Sequence, residues 1–219
     1  MQIFKTSKAR ENILARVRNG LGEQPIPMPF PEAEGDNASQ IYAETEVSPE
    51  ETFANEFIKL GGKFVFCENE KELMEQISDL YDSRGWISML CAEERLLQLF
   101  QNNKINIVHS AAEPEKDADA CITGCEMLVA RTGSLLFSSR QFMGRTAPVF
   151  YPVHIVVAYA NQIASDIDQG INFIKKHYKN GLPSMINLNT GPSRTADIEK
   201  TLVVGVHGPA EVFCFYVNA

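Results

Sequence analysis

The chain has 219 residues, enough for one α/β domain of generous size or for a domain with an N-terminal extension. Hydrophobic residues make up 44% and charged residues 22%, ordinary globular values that exclude a disordered or fibrous chain. A net charge of −8, with no basic run, argues against nucleic acid or an anionic membrane as the main partner.

The opening M-Q-I-F-K-T-S-K-A-R carries no apolar signal region or cleavage site. No stretch reaches the ~18 apolar residues of a spanning helix, so a cytoplasmic protein without membrane insertion is expected. Residues 6–21 predict a helix with Ile13, Leu14 and Val17 on one face and Gly20 and Gly22 to stop it. The run E-Q-P-I-P-M-P-F-P-E-A-E-G-D-N can neither continue a helix nor join a ladder. Residues 1–47 therefore read as a helix and a proline-rich arm, and 48–219 as the α/β domain. Such an arm wraps its own domain or a neighbouring subunit, which allows a homo-oligomer.

From Ser48 the pattern alternates. S-P-E-E, Ser48 to Glu51, reads as a capping box with proline at the first helical position. Its helix presents Phe53, Phe57 and Leu60 on one face and ends at Gly61-Gly62. Strands at 63–67, 86–90 and 105–109 then alternate with helices at 71–80 and 93–100, a βαβαβ rhythm that implies a parallel sheet covered on both faces. Two β-rich runs flank Thr132-Gly133 and predict a hairpin or sharply bent strand pair, which makes the sheet mixed. A strand at 154–159, a helix at 164–177 and strands at 185–189, 202–206 and 212–217 complete the domain. Five cysteines, Cys67, Cys91, Cys121, Cys125 and Cys214, fall in strand-like segments, and reduced, buried thiols are expected.

Three segments carry candidate chemistry. In T-G-P-S-R-T-A-D-I-E, Thr190 to Glu199, Gly191 permits a sharp turn and Pro192 sets φ for a short helix. Ser193, Thr195, the first-turn amides and Arg194 would then converge as an anion site. The competing reading is structural: a hydroxyl caps the helix and Arg194 pairs with Asp197 or Glu199. In G-V-H-G-P, Gly205 to Pro209, His207 lies between glycines after an apolar strand, either as a titrating group at a crevice or as a tight-turn residue bonded to a carbonyl. In R-T-G-S, Arg131 to Ser134, the hydroxyls either form a hairpin tip or face the same crevice. Arg145 stands in a loop before Y-P-V-H, and His154 reads as a satisfied core histidine. G-x-G-x-x-G, a Walker lysine loop and G-x-S-x-G are all absent. Cys121 and Cys125 have no further ligands at iron–sulfur or zinc spacing, so no cofactor and no metal are expected.

The succession D-A-C-I-T-G, A-R-T-G-S-L-L-F, P-V-H-I-V-V, T-G-P-S-R-T-A-D-I-E and L-V-V-G-V-H-G-P resembles the lactate-utilization protein C family, also called the LUD-domain family. The resemblance spans roughly residues 51–217. It implies a three-layer α/β/α sandwich with a mostly parallel mixed sheet, similar to the NagB/RpiA/CoA-transferase-like fold. It also implies a part in oxidising L-lactate to pyruvate with two partner proteins, one of them an iron–sulfur protein. The family pattern marks Thr132, Gly133, Gly191, Pro192, Ser193, Asp197, Ile198, Glu199, Gly205, His207, Gly208 and Pro209. It usually has an acid where this chain has Arg131, and the reversed charge would shift ligand preference toward anions. The expected site is thus a crevice at the carboxyl ends of the strands that holds a small carboxylate or a partner's loop. Arg194 and Arg145 would grip the carboxylate, with Arg131 to Ser134, Gly191 to Thr195, Asp197 and Gly208 around it. His207 would exchange a proton. Two alternatives stand beside this: a stand-alone enzyme acting on a phosphorylated or acyl small molecule, and a non-catalytic assembly or regulatory subunit.

Overall fold

The computed structural model describes residues 7–22, 47–91, 93–104, 107–108, 118–195 and 202–218. The chain divides into two compact units, Met1–Thr45 and Glu46–Ala219. In the first, the described segment is one helix, α1 (Ser7–Gly22), which continues through Gly20. The proline-rich run lies outside the described residues.

In the second unit α2 (Pro49–Lys59) starts where the capping pattern places it. Ser48 is extended and its hydroxyl accepts the N–H of Glu51 at 3.3 Å, while Pro49 takes a position whose N–H would have no helical partner. β1 (Lys63–Cys67), α3 (Glu70–Arg84), β2 (Met89–Cys91), α4 (Glu94–Asn102) and β3 (Ile107–Val108) follow. α3 is capped by Asn69, whose side chain accepts the N–H groups of Lys71 and Glu72, both at 3.0 Å. Next come β4 (Ala120–Gly124), β5 (Met127–Val129), a 3₁₀ turn (Ala130–Thr132) and β6 (Ser134–Ser138). The chain continues as α5 (Ala147–Phe150), β7 (Val153–Tyr159), β8 (Ile163–Ala164), α6 (Ile167–His177) and β9 (Ile186–Asn189). It closes with β10 (Arg194–Thr195), β11 (Val203–Val204) and β12 (Glu211–Val217).

The main sheet has the order β1-β12-β7-β4-β2-β3, and every pairing in it is parallel. Its centre is β7 against β12, with Val153 opposite Glu211 and Tyr159 opposite Val217. These two strands read V-H-I-V-V-A-Y and E-V-F-C-F-Y-V and are buried almost throughout, as a sheet covered on both faces requires. On one face, Leu73, Met74 and Ile77 of α3 and Leu96, Leu97 and Phe100 of α4 pack on Ile122, Ile155, Val157, Phe213 and Phe215. On the other, Phe53 and Phe57 of α2 meet Val156, Ala158, Cys214 and Tyr216. Each fully buried phenylalanine there contributes about 2–3 kcal/mol of hydrophobic stabilisation.

A mostly parallel sheet flanked by helices is therefore the architecture, as the sequence predicts. The antiparallel strands do not enter the main sheet. β5, β6 and β9 pair antiparallel in a second, four-stranded sheet, β8-β5-β6-β9, in which β8 joins β5 parallel; its inner side chains Leu128, Leu135 and Phe137 share the core with α2. Ile174 of α6 packs with Met127 and Leu136 of that second sheet. All five cysteines are free and buried. Burial pushes the thiols of Cys67 and Cys91 up to about 11 and about 12, so they stay protonated and unreactive. Among the described residues no helix is long and apolar enough to cross a membrane.

Candidate functional site

The T-G-P-S-R segment does not open a helix at Pro192. Arg194 and Thr195 form β10, paired antiparallel with β11 so that Arg194 stands opposite Val204 and Thr195 opposite Val203. The N–H of Ser193, expected to greet an anion, donates instead to the carbonyl of Pro209 at 2.9 Å. The N–H of Gly205 donates to the carbonyl of Ser193 at 3.0 Å. Gly208 lies so close to this strand that a Cβ on it would come within 2.9 Å of Ser193 Cβ. The two motifs are thereby fastened into one structure.

They share a cleft of about 230 Å³. Residues 188–193 form one wall and residues 207–209 another, with Pro148 and Val149 of α5 as the third. His207 is exposed on this wall and has no hydrogen-bond partner among the described residues. The position in the sheet differs from the expectation. Residues 205–209 lead into the start of β12, and Ala210 N–H donates to the carbonyl of Pro152, which precedes β7, at 2.8 Å. The cleft thus sits at the amino edge of the central strands, opposite their carboxyl ends.

The arginines assigned to a carboxylate are engaged elsewhere. The Arg194 guanidinium donates to the carbonyl of Leu60, the residue that closes α2. A cation at a helix C-terminus satisfies an orphan carbonyl and the negative end of the helix dipole. Gly191, with φ +73°, packs against the same carbonyl. Arg145 is exposed and its guanidinium donates to the Ser184 hydroxyl. Arg131 grips Asp166 with two bonds, Nε to Oδ2 at 2.9 Å and Nη2 to Oδ1 at 2.6 Å. The guanidinium holds the Asp166 carboxyl below its ordinary range while Asp166 caps α6 through the N–H of Ile167. The charge reversal at Arg131 is thus answered by an internal acid.

The R-T-G-S turn reaches the cleft only through its last hydroxyl. Buried Ser134 Oγ lies 2.8 Å from both Thr132 Oγ1 and Thr190 Oγ1, a three-hydroxyl link that ends on the cleft wall. Gly133 has φ +57°, and a Cβ there would meet the backbone N of Phe57 at 2.5 Å. Its role is to admit α2 against the turn. Gly191, Pro192, Ser193 and Gly208 line the cleft with His207; Arg131, Thr132, Gly133, Ser134, Arg145, Arg194 and Thr195 do not. Asp197, like Ile198 and Glu199, lies outside the described residues.

His154 is only half satisfied. Its Nε2 is 2.8 Å from Thr123 Oγ1, and Nδ1 has no hydrogen-bond partner among the described residues. Complete burial lowers its pKa to about 3. Sequence reasoning missed the third wall of the cleft, where Pro148 opens the short α5. The available signal was the proline in T-A-P-V-F, which suits a first helical turn.

Comparison with known proteins agrees with this architecture. Lactate utilization protein C of Bacillus subtilis is 36% identical over 105 residues, covering 47% of this chain and 44% of that protein. Lactate utilization protein C of Deinococcus radiodurans is 36% identical over 93 residues, covering 42% and 43% of the two chains. The aligned segments thus span less than half the length of these relatives. A crystal structure of a DUF162 family protein from Deinococcus radiodurans superposes with a TM-score of 0.59 at 19% identity, covering 78% of this chain and 99% of that one, and shares the fold. The family model of the LUD domain matches residues 50–217, almost the whole second unit, and the chain belongs to the LUD-domain family.

Proposed function

We propose that this chain is a subunit of a system that oxidises L-lactate to pyruvate, and that the His207 cleft seats a loop of its iron–sulfur partner. Lactate metabolism is suggested by the names of the relatives. The observation that carries the choice of occupant is the make-up of the cleft. Its wall offers Thr190, Ser193 and His207 as polar groups, and among the described residues no arginine or lysine lines it. Val149 in the wall, Phe150 beside it, and Val204 and Val206 leading into His207 are all exposed apolar side chains. An apolar rim around a few directional polar groups suits a protein segment. A guanidinium could grip both oxygens of a small carboxylate, but both candidates donate to other groups.

Copurification with the iron–sulfur partner tests this reading. Val206→Glu is expected to abolish the complex and lactate oxidation while leaving the fold intact. His207→Ala is expected to weaken both. An intact complex in Val206→Glu, together with binding of L-lactate to the isolated wild-type chain that His207→Ala removes, would establish the small-carboxylate reading instead.

A further inference from the structure

The opposite edge of the main sheet holds a larger cleft, of about 380 Å³. Gly124 ends β4, Tyr159 ends β7, and Glu93 stands between β2 and α4, so this cleft lies at the carboxyl ends of parallel strands. That is the edge where open α/β sheets collect ligands, because the loops there diverge. Leu96 and Val157, both buried in the core, lie beneath its floor.

The polar groups around it are unevenly occupied. Glu93 Oε1 accepts the N–H of Gly124 at 2.7 Å. A side chain at Gly124 would come within 2.9 Å of Glu93 Oε2, so the glycine keeps room for this carboxylate. Arg95 is the cation of the cleft, but it donates to Glu70 Oε1 at 3.2 Å and lies over the Tyr159 ring at 4.7 Å. The Tyr159 hydroxyl donates to the same Glu70 oxygen at 2.9 Å. Gln162 is held between the N–H of Tyr159 and the carbonyl of Cys125. Glu93 has no ion-pair partner among the described residues, and Asn161 makes no side-chain hydrogen bond among them. The capacity left open is therefore Glu93 Oε2 and the Asn161 amide.

Glu93 is half-buried, and a carboxylate partly withdrawn from water without a cation is short of stabilisation. Burial and the nearby Glu126 push the Glu93 carboxyl up, opposed by the N–H of Gly124. Glu70, the other nearby acid, is already paired with Arg95, so that cation is not available to Glu93. No group of three metal-ligating side chains exists among the described residues.

We propose that this carboxyl-edge cleft binds a small organic ammonium, whose N–H groups donate to Glu93 Oε2 and the Asn161 amide oxygen. The ligand supplies the missing positive charge and keeps the carboxylate ionised. The site is separate from the His207 cleft and does not depend on the function proposed for it.

The test is titration of the ¹⁵N-labelled full chain with ethanolammonium, glycerol and acetate, reading the amides of Gly124 and Gly208. Ethanolammonium is expected to shift Gly124 and leave Gly208 in place, with glycerol and acetate much weaker. Glu93→Gln retains an acceptor for Gly124 and is expected to weaken ethanolammonium at least about tenfold, while His207→Ala leaves it unchanged. If Glu93→Gln does not fold, the wild-type contrast between Gly124 and Gly208 decides alone. An unmoved Gly124, equal shifts with glycerol or acetate, or undiminished binding in a folded Glu93→Gln would overturn the proposal.

Discussion

Replacing His154 by glutamine removes a titrating ring from the core while keeping a hydrogen-bonding group near Thr123. His154 is fully buried on β7, with its ring centroid 5.5 Å from that of Phe137 and its Nε2 2.8 Å from Thr123 Oγ1. A proton on this ring would be placed among apolar side chains, so burial lowers the pKa from 6.5 to about 3. The unfolded chain accepts the proton below pH 6.5 and the folded chain refuses it until about pH 3. Stability is therefore full above pH 6.5 and falls as the pH drops through that window. The slope approaches about 1.4 kcal/mol per pH unit, which by pH 4 amounts to about 3 kcal/mol. Urea denaturation of both proteins at pH 7, 6, 5 and 4 isolates this contribution, because the carboxylates titrate alike in each. The wild-type curve is expected to fall more steeply, the gap closing or reversing by about 3 kcal/mol by pH 4. Parallel curves would refute the reasoning, since they require that His154 takes up its proton in the folded state.

Three further outcomes follow from the packing around the cleft. Gly133→Ala forces a left-handed conformation and places a Cβ 2.5 Å from the Phe57 amide, so it is expected to cost at least about 2 kcal/mol in urea denaturation. Asp166→Ala removes both the α6 cap and the Arg131 anchor. With a third of each side chain exposed, the expected loss is about 2 kcal/mol, accompanied by faster amide exchange in the first turn of α6. Glu211 accepts both Arg84 and Lys63, which hold its carboxyl below the ordinary range. Its contribution is present above pH 4.5 and lost as the pH falls through the lowered value. Glu211→Gln should therefore cost about 1 kcal/mol at pH 7 and less as the pH falls below 4.5, read by thermal denaturation across that range.

Much of the fold was legible because its signals are local. Ser48 with Pro49 announces the start of α2, and the unbroken apolar runs of β7 and β12 announce strands covered on both faces. The second sheet was not legible. The turn at Thr132-Gly133 shows that β5 and β6 are antiparallel neighbours, but not which sheet they join. That choice is made by Leu128, Leu135 and Phe137 packing on α2, a contact across some 80 residues of chain. The site was half legible for the same reason. Gly191, Ser193, His207 and Gly208 do converge, yet proline after glycine reads equally as a helix start or as the entry to a short strand. Pairing with β11 decides the matter, and nothing local to T-G-P-S-R encodes it.

The direction of the parallel strands explains why Arg194 is drawn to the end of α2. α2 leads into β1, so its C-terminus, closed by Leu60, lies at the amino edge of the sheet. A helix C-terminus repels anions and attracts guanidinium groups, and Arg194 answers it directly. The same edge gathers the family motifs. The glycines that make those motifs recognisable serve close backbone approach, Gly133 and Gly191 to α2 and Gly208 to Ser193. Sequence specificity here reports a packing constraint as much as a chemical one. Glu93 is the converse case: it belongs to no motif, yet it stands where the strands end and the helices begin, the edge on which the fold itself favours a ligand.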